Sequence, residues 1–183
     1  QQTGYPASNE VKITVTPDKT TQANIALRIP GWTPNAIVKV NGETMKGVAS
    51  GEYYVINRQW NAGDEITLTM EMPAHLVSLN QSVAIERGPI VYARDSRFND
   101  GFVDEVVTIP NKDGIIQMKT EENGKDMWIT DSVPMVRGTY NDASTDTRHI
   151  RLCDFASAGS TWDERIRYRV WLPKLYTPDN PKS

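Results

Sequence analysis

Residues 27–72 read LRIPGWTPNAIVKVNGETMKGVASGEYYVINRQWNAGDEITLTMEM, and this stretch decides the fold. Four short apolar runs in and beside it lie between turn-forming residues: Ile25 to Ile29, Ile37 to Val40, Tyr53 to Ile56 and Ile66 to Met72. Short runs of β-branched and aromatic residues separated by Asn-Gly and Gly-Asp turns are typical of antiparallel strands. The stretch therefore predicts a β-sandwich, and it contains no group able to cleave a bond.

The same two-residue alternation extends toward both ends of the chain. Apolar residues occupy every second position in two further runs: Val11, Ile13 and Val15, then Ile166, Tyr168, Val170 and Leu172. Helical periodicity is almost absent. We therefore predict an all-β fold, an antiparallel β-sandwich built as two packed sandwich units.

A change in loop length predicts where the two units meet. Polar loops become longer after an apolar run that Gly88-Pro89 interrupts. We place a first β-sandwich domain at residues 1–85 and a second, with longer loops, at residues 86–183. The alternative is that both halves share one core.

Composition and charge exclude several classes of partner. The formal net charge of −3 comes without a basic block, which argues against a nucleic-acid partner. No apolar run approaches the roughly 18 residues that a membrane span requires, so no membrane partner is expected. Cys153 is the only cysteine, and His75 and His149 are the only histidines. An intrachain disulfide is thereby excluded and a metal site is poorly supported, so we expect no metal and no other cofactor.

Adjacent acidic residues are the first candidates for hydrolytic chemistry. They occur at Asp104-Glu105, Glu121-Glu122 and Asp163-Glu164. Glycoside hydrolysis needs two convergent carboxyl groups, whereas neighbouring side chains on a strand point to opposite faces. We expect these pairs to be solvated. Glu86-Arg87 is interpreted as a structural ion pair, and no catalytic residue is predicted.

Other reactive groups are equally poorly supported. Both histidines are expected at the surface or at a strand edge, and no Gly-x-Ser-x-Gly motif is present. Cys153 alternates with Leu152 on a strand that could expose it, and without a basic neighbour it is expected to be an inert thiol. The Asp and Asn residues of 95–104 and 141–146 lack the spacing of a calcium loop, so hydrated turns are expected.

Tryptophan and arginine residues supply the candidate binding groups. Trp32 and Trp60 lie at predicted strand–loop junctions, where buried packing is the expected role. Trp162 lies in the small, polar loop 156–163, where it is a candidate for an exposed ring that meets a glycan or a partner domain. The alternative for Trp162 is that its ring pins the loop.

A second group is predicted on the last strand-like run. Trp171 should share one strand face with Arg165, Arg167 and Arg169. Trp and Arg are favoured at interfaces, so this face suggests stacking within the fold or contact with another domain or subunit. A solvated face with paired charges is the alternative. The candidate ligand or interface residues are thus Trp162, Trp171, Arg167 and Arg169.

Several segments taken together resemble the C-terminal β-sandwich region of glycoside hydrolase family 127, the β-L-arabinofuranosidase-type enzymes. The segments are Val11–Val15, Ala26–Trp32, Val40–Gly42, Arg58–Trp60, Arg87–Tyr92 and Arg169–Pro173. The similarity begins at Tyr5 and covers nearly the whole chain. Each segment alone is a generic strand-and-turn pattern, and the combination is fairly specific.

The resemblance implies a role without catalysis. Enzymes of that family carry an α-helical barrel with a zinc ion held by cysteines and a glutamate, one cysteine being the nucleophile. Cys153 matches none of these ligands, so no catalytic residue is transferred. The implied partner is the catalytic barrel of a parent enzyme, with a second copy of the chain in a homo-oligomer as a further partner. The alternatives are a standalone carbohydrate-binding module with glycan as its ligand and a self-sufficient enzyme.

Overall fold

A computed structural model of the chain describes residues 1–136 and 147–174. It forms two compact units, the first Gln1–Met72 and the second from Pro73 onward. The named strands pair only in antiparallel fashion, and in the described ranges the one helical element is a 3₁₀ turn at Ser96–Phe98. The predicted all-β fold is confirmed. No helix in these ranges is long and apolar enough to cross a membrane.

The first unit is a small sandwich of two sheets. Its strands are β1 (Gln2–Thr3), β2 (Glu10–Val15), β3 (Thr21–Arg28), β4 (Ala36–Val40), β5 (Glu43–Thr44), β6 (Tyr53–Trp60) and β7 (Asp64–Met70). One sheet has the order β1-β2-β7-β4-β5, and the other is the two-stranded ribbon β3-β6. Some consecutive strands, such as β6 and β7, therefore lie in different sheets, whereas β4 and β5 pair as a hairpin.

Alternating side chains from both sheets fill the space between them. The buried core contains Leu27 and Ile56 from the ribbon and Val38, Ile66 and Leu68 from the larger sheet. Apolar burial of this kind stabilises by roughly 25 cal/mol per Å². The alternation of apolar residues in the sequence therefore correctly predicts which face of each strand points into the core.

Two asparagine-containing turns fix the connections of this unit. Asn41 and Gly42 both have positive φ and join β4 to β5, as a two-residue hairpin requires. The Asn41 amide donates to Asp64 Oδ1 at 2.8 Å, and Asp64 Oδ2 accepts from the backbone N–H of Asn61 at 2.9 Å. These hydrogen bonds hold the pKa of Asp64 below its ordinary value.

The two tryptophans of this unit pack as expected. Trp60 is almost completely buried, and its indole N–H donates to the carbonyl of Ala23 at 3.1 Å. Trp32 is half-buried and stacks on Tyr5, with ring centroids 6.4 Å apart and planes at 13°. Neither ring is presented as an open binding platform.

The second unit is built on one large sheet. Its strands are β8 (Ala74–Leu79), β9 (Ser82–Arg87), β10 (Ile90–Asp95), β11 (Asn111–Lys112), β12 (Ile115–Ile116), β13 (Lys119–Thr120), β14 (Thr130–Val136), β15 (Thr147–Asp154), β16 (Tyr168–Arg169) and β17 (Leu172–Pro173). The main path is β11-β12-β8-β9-β10-β15-β14-β13, while β16 pairs with β10 and β17 with β9.

The division between the units falls at Met72 and Pro73, whereas the sequence analysis placed it between residues 85 and 86. Strand pairing explains the difference. Leu79 lies opposite Ser82 in the β8–β9 hairpin, and Arg87 lies opposite Ile90 in the β9–β10 hairpin. Gly88-Pro89 therefore marks a turn inside the second sheet rather than the end of a domain.

The alternation in the last strand-like run predicts one continuous strand. The structure instead shows two short strands, β16 and β17. β9 and β10 pair only near their connecting turn, and the segment from Tyr168 to Pro173 pairs with the diverging ends of both. Val170 and Trp171 cross from one strand to the other. Arg165, Arg167, Arg169 and Trp171 consequently do not form one strand face.

A buried polar cluster crosses the middle of this sheet. Asp131 is completely buried, accepts a hydrogen bond from the Tyr92 hydroxyl and lies 3.5 Å from Arg87 Nη1. Burial and this hydrogen bond raise the pKa of Tyr92 far above its ordinary value. Arg87 thus pairs with Asp131 across the sheet, not with its neighbour Glu86 as the sequence had suggested.

Replacing Trp60 tests the core of the first unit. Trp60→Ala removes a buried ring and its hydrogen bond, so we expect a loss of about 3–5 kcal/mol in the free energy of unfolding. Gln59→Ala, on the exposed face of the same strand, should change it by less than about 0.5 kcal/mol. Chemical denaturation measures both values, and similar losses for the two variants would contradict the sandwich packing.

Candidate functional site

The acidic residues singled out in the sequence are mostly paired with arginine. Asp104 lies 2.6 Å from Arg169 Nη2, and Asp163 lies 2.7 Å from Arg165 Nη2. Hydrogen bonds from Arg165 lower the pKa of Asp163 to about 2. A general acid for glycoside hydrolysis needs the opposite shift, a raised pKa. Asp104 and Asp163 are therefore organised as structural acceptors.

Two further carboxylates from these acidic pairs, those of Glu105 and Glu121, also accept hydrogen bonds. Glu105 Oε2 accepts from Arg94 at 3.1 Å and also pairs with Arg148. Glu121 accepts from the Ser132 hydroxyl at 2.7 Å, which lowers the pKa of Glu121. The hydrogen bond from Ser132 stabilises Glu121 in its charged form, the form that cannot donate a proton.

The histidines and the cysteine are not assembled with a nucleophile or base. His75 lies on β8, and His149 is exposed on β15, where it faces Pro134. Cys153 is fully buried, which corrects the expectation that its thiol could be exposed. Burial, with Asp95 and a second carboxylate nearby, raises the pKa of Cys153 to about 12, so the thiol stays protonated.

Potential metal ligands are also scattered in the part of the chain that the structure describes. No group of three or more His, Cys, Asp or Glu residues in these ranges is placed to hold a metal ion. Of the calcium candidates, Asp95, Asp100 and Asp104 each pair with an arginine. The backbone N–H of the candidate Asn99 donates to the carbonyl of Ser96 at 3.2 Å, and the candidates Asn141, Asp142 and Asp146 lie outside the described residues.

Exposed aromatic rings, rather than reactive groups, are the notable feature of the second unit. We call Phe102, Phe155, Trp162, Tyr168 and Trp171 the aromatic rim. Trp162 is fully exposed and Phe102 is 83% exposed, while the other three are between 39% and 49% exposed. Large rings left open to solvent in this number are typical of surfaces that contact a partner.

The loop that carries Phe102 is tied to the sheet by arginines. Arg94, fully buried on β10, contacts the carbonyl of Asp100 at 3.4 Å and Glu105 at 3.1 Å. Asp100 Oδ2 in turn accepts from the backbone N–H of Arg151 at 2.7 Å. Gly101 lies so close that a Cβ there would be 2.6 Å from Arg94 Nη2, and its φ is +130°. Only glycine fits this position without displacing Arg94.

The loop that carries Trp162 is tied down by the buried carboxylate of Asp95. Asp95 accepts from Arg97 Nε at 2.9 Å and Nη2 at 2.8 Å, and from the backbone N–H of Gly159 at 2.9 Å. Arg97 also donates to the carbonyl of Ser157 at 2.7 Å. One bidentate pair therefore fixes the backbone on both sides of Ala158.

A second buried aspartate anchors the start of the same loop. Asp154 accepts from the backbone N–H groups of Ser157 at 2.9 Å and Ile129 at 3.0 Å. The Ser157 hydroxyl accepts from the backbone N–H of Trp128 at 3.0 Å. These bonds join the loop to the segment before β14.

The short strand β16 connects the two loops. The Arg169–Asp104 pair joins β16 to the loop of Phe102, and Gly159 in the other loop lies against the Tyr168 ring, which a Cβ would approach to 2.5 Å. Tyr168 also packs on Phe155, with ring centroids 6.1 Å apart and planes tilted by 48°. The rim thus stands on loops that share one support.

The four candidate binding residues that the sequence suggested lie in different parts of this region. Trp162 lies at the exposed part of its loop, and Trp171 is partly exposed at the crossing between β16 and β17. Arg167 is exposed and donates to the carbonyl of Glu164 at 2.5 Å, while Arg169 pairs with Asp104. Both arginines thus support loops rather than forming a flat charged face with Trp171.

The sequence alone did not identify Phe102, Phe155 and Tyr168 as candidate binding residues. Phe102 follows Gly101 in a stretch that reads as an ordinary polar loop. The available signal was the apolar residue inside that polar loop, next to a glycine. The loop position of Phe102 depends on Asp100, which contacts both Arg94 and Arg151, two residues far apart from each other in sequence.

Replacing Asp95 tests the anchoring of the Trp162 loop. Burial alone would raise the pKa of Asp95, but Arg97 and the backbone amides hold it below its ordinary value. Asp95→Asn leaves the Arg97 charge without its partner, so we expect a loss of about 2–4 kcal/mol in unfolding free energy at pH 7. Asp104→Asn, whose pair is exposed, should lose less than about 1 kcal/mol.

The pH dependence gives a second readout of the same variant. Because the folded-state pKa of Asp95 is lowered, its stabilisation is complete above the ordinary Asp pKa of about 3.9 and is lost as pH falls through the folded value. The difference between wild type and Asp95→Asn should therefore be constant from neutral pH to about pH 4 and shrink below it. A difference that grows on acidification would refute the assignment.

The comparisons with known proteins place this chain beside glycoside hydrolases. Residues 1–72 match the family model of the β-L-arabinofuranosidase GH127 middle domain. A crystal structure of a GH127 β-L-arabinofuranosidase from Geobacillus stearothermophilus T6 is similar with a TM-score of 0.69 and 26% sequence identity, covering 96% of this chain and 30% of that one. A search of curated proteins finds no match.

Two further solved structures share the fold. A GH127 β-arabinofuranosidase is similar with a TM-score of 0.71 and 23% identity, covering 95% of this chain and 31% of its own. A structure described as a glycoside hydrolase is similar with a TM-score of 0.66 and 22% sequence identity, covering 96% of this chain and 32% of that one. The chain thus spans about a third of the length of these enzymes. The resemblance to the β-sandwich region of GH127 enzymes is confirmed by these findings.

Proposed function

We propose that this chain is a non-catalytic β-sandwich module of a GH127-type glycoside hydrolase and that its aromatic rim docks on the catalytic α-helical barrel of that enzyme. The observation that carries the proposal is the rim itself, exposed rings on loops that buried ion pairs hold in place. In this arrangement bond cleavage belongs to the barrel, and the module supplies a fixed surface that supports it.

Partial coverage of longer relatives supports a partner of this kind. In the similar enzymes, about two thirds of the polypeptide lies outside the region that this chain matches. A module within a longer polypeptide needs a surface that its neighbour can cover. Exposed aromatic rings bury large apolar areas when covered, and they dominate the energetics of many interfaces.

Rigidity of the loops favours docking over loose tethering. Binding is weakened when loops must be ordered at the interface. The loops of Phe102 and Trp162 are already fixed by Arg94, Asp95 and Asp154. Docking would therefore bury their rings with little further loss of conformational entropy.

The rim fits a protein surface better than a stacked sugar. A carbohydrate-binding module that stacks sugar rings would present coplanar exposed rings, whereas Phe155 and Tyr168 are tilted by 48°. A second copy of this chain is the other protein that could cover the rim, as a subunit contact. The experiment below distinguishes the two.

Binding in trans tests the proposal. The helical catalytic region of a GH127 enzyme from the same source would be produced separately and titrated with this chain by calorimetry. Wild type should bind at a 1:1 ratio. Phe102→Ser and Trp162→Ser should each weaken binding by roughly 30-fold, the effect of losing about 2 kcal/mol at an interface hot spot.

Ile115→Ser is the matched control. Ile115 is 49% exposed on β12, three strands from β10 in the same sheet, and its replacement should leave binding unchanged. Sedimentation of the chain alone completes the test. Absence of binding to the catalytic region, or dissociation of a homodimer by the rim variants, would overturn docking on the barrel.

A further inference from the structure

The outer face of the β3–β6 ribbon in the first unit carries four side-chain amides in two neighbouring pairs. We propose that this face, which we call the amide face, is a binding site for a neutral oligosaccharide. It is separate from the aromatic rim and is carried by other strands, so it neither requires nor follows from the docking proposal.

Strand register defines the amide face. The outward pairs, in order along the ribbon, are Gln22 with Gln59, Asn24 with Asn57, Ala26 with Val55 and Arg28 with Tyr53. All eight side chains are exposed. Six residue steps at about 3.3 Å per residue give the face a length of about 20 Å, enough for several sugar rings in a row.

The two amide rungs offer hydrogen bonds without charge. Each Asn or Gln side chain has two N–H donors and a carbonyl acceptor, which match hydroxyl groups that also donate and accept. The Gln22 amide donates to Asn57 Oδ1 at 2.5 Å, across the ribbon on the diagonal. This bond orients both groups, leaving their remaining donors and acceptors to a ligand.

The opposite end of the face supplies an aromatic surface. Tyr53 is 61% exposed, and the Arg28 guanidinium lies 5.8 Å from its ring centroid. The C–H face of a sugar ring packs on an aromatic ring, and guanidinium N–H groups donate to hydroxyls in pairs. Val55 adds an apolar contact between this end and the amide rungs.

The charge pattern selects the class of ligand. Arg28 is the only charged residue among the eight, so the face offers a ligand one positive charge and no negative charge. Exposed edge strands normally carry charges that prevent unwanted pairing, and both strands of the ribbon are edges. A polar face with a single positive charge, carried on two edge strands, suits a polyhydroxylated, uncharged ligand.

Side-chain amide NMR provides a direct test. The chain labelled with ¹⁵N would be titrated with linear pentasaccharides of arabinose, xylose and glucose, each up to about 10 mM, which reveals dissociation constants in the millimolar range. At least one pentasaccharide should shift the NH₂ signals of Asn24, Asn57, Gln22 and Gln59. The affinity should not depend on salt, because the face is almost uncharged.

Two variants assign the effect to the face. Asn57→Asp keeps the shape but removes both N–H donors, and Gln59→Ala removes an exposed amide. Each should weaken binding by roughly tenfold, the equivalent of about 1.4 kcal/mol and within the range for a lost hydrogen bond. Gln117→Ala removes an exposed amide in the second unit and should have no effect.

Three results would overturn the proposal. The first is that no pentasaccharide shifts the four amide signals. The second is binding that Asn57→Asp and Gln59→Ala leave unchanged, or shifts centred on Trp162 instead. The third is amide shifts that follow protein concentration without sugar, because aligned amides can also pair with a second copy of the chain.

Discussion

Arginine–carboxylate pairing beneath the loops is the interaction on which the second unit depends. Asp95 holds Arg97 and the amide of Gly159, while Arg94 holds Asp100 and Glu105. Because Asp95 and Arg94 are buried, removing either partner would leave a charge without compensation. The long polar loops of this chain are therefore parts of the folded structure, and their conformations are set by charges that the sheet positions.

The same pairing determines what the acidic residues can do. The carboxyl groups of Asp95, Glu121 and Asp163 all have lowered pKa values, which suits acceptors and not proton donors. What the unit presents to solvent is instead a set of aromatic rings. The first unit differs in kind, because its exposed ribbon carries amides and one Tyr–Arg pair. The chemistry of this chain thus favours binding on both units.

Local patterns in the sequence were sufficient for the first unit. The Asn41-Gly42 turn and the alternation in Tyr53–Trp60 and Asp64–Met70 depend on neighbours only, so strands, hairpin and core could be predicted. The run at residues 165–172 could not, because its pairing depends on the divergence of β9 and β10. The buried position of Cys153 and the pairing of Arg87 with Asp131 also depend on distant strands. The sequence was sufficient to name four candidate residues, Trp162, Trp171, Arg167 and Arg169. It could not predict the buried contacts that hold their loops in place.

Hydrogen exchange at individual backbone amides tests most directly whether buried pairs hold these loops rigid. The N–H groups of Arg97 and Gly159 donate to Asp95, and that of Arg151 donates to Asp100. The account predicts that these three amides exchange far more slowly than an exposed turn amide such as that of Lys125, and close to the rate of the neighbouring strands. Exchange of Arg97 and Gly159 as fast as that of Lys125 would contradict it.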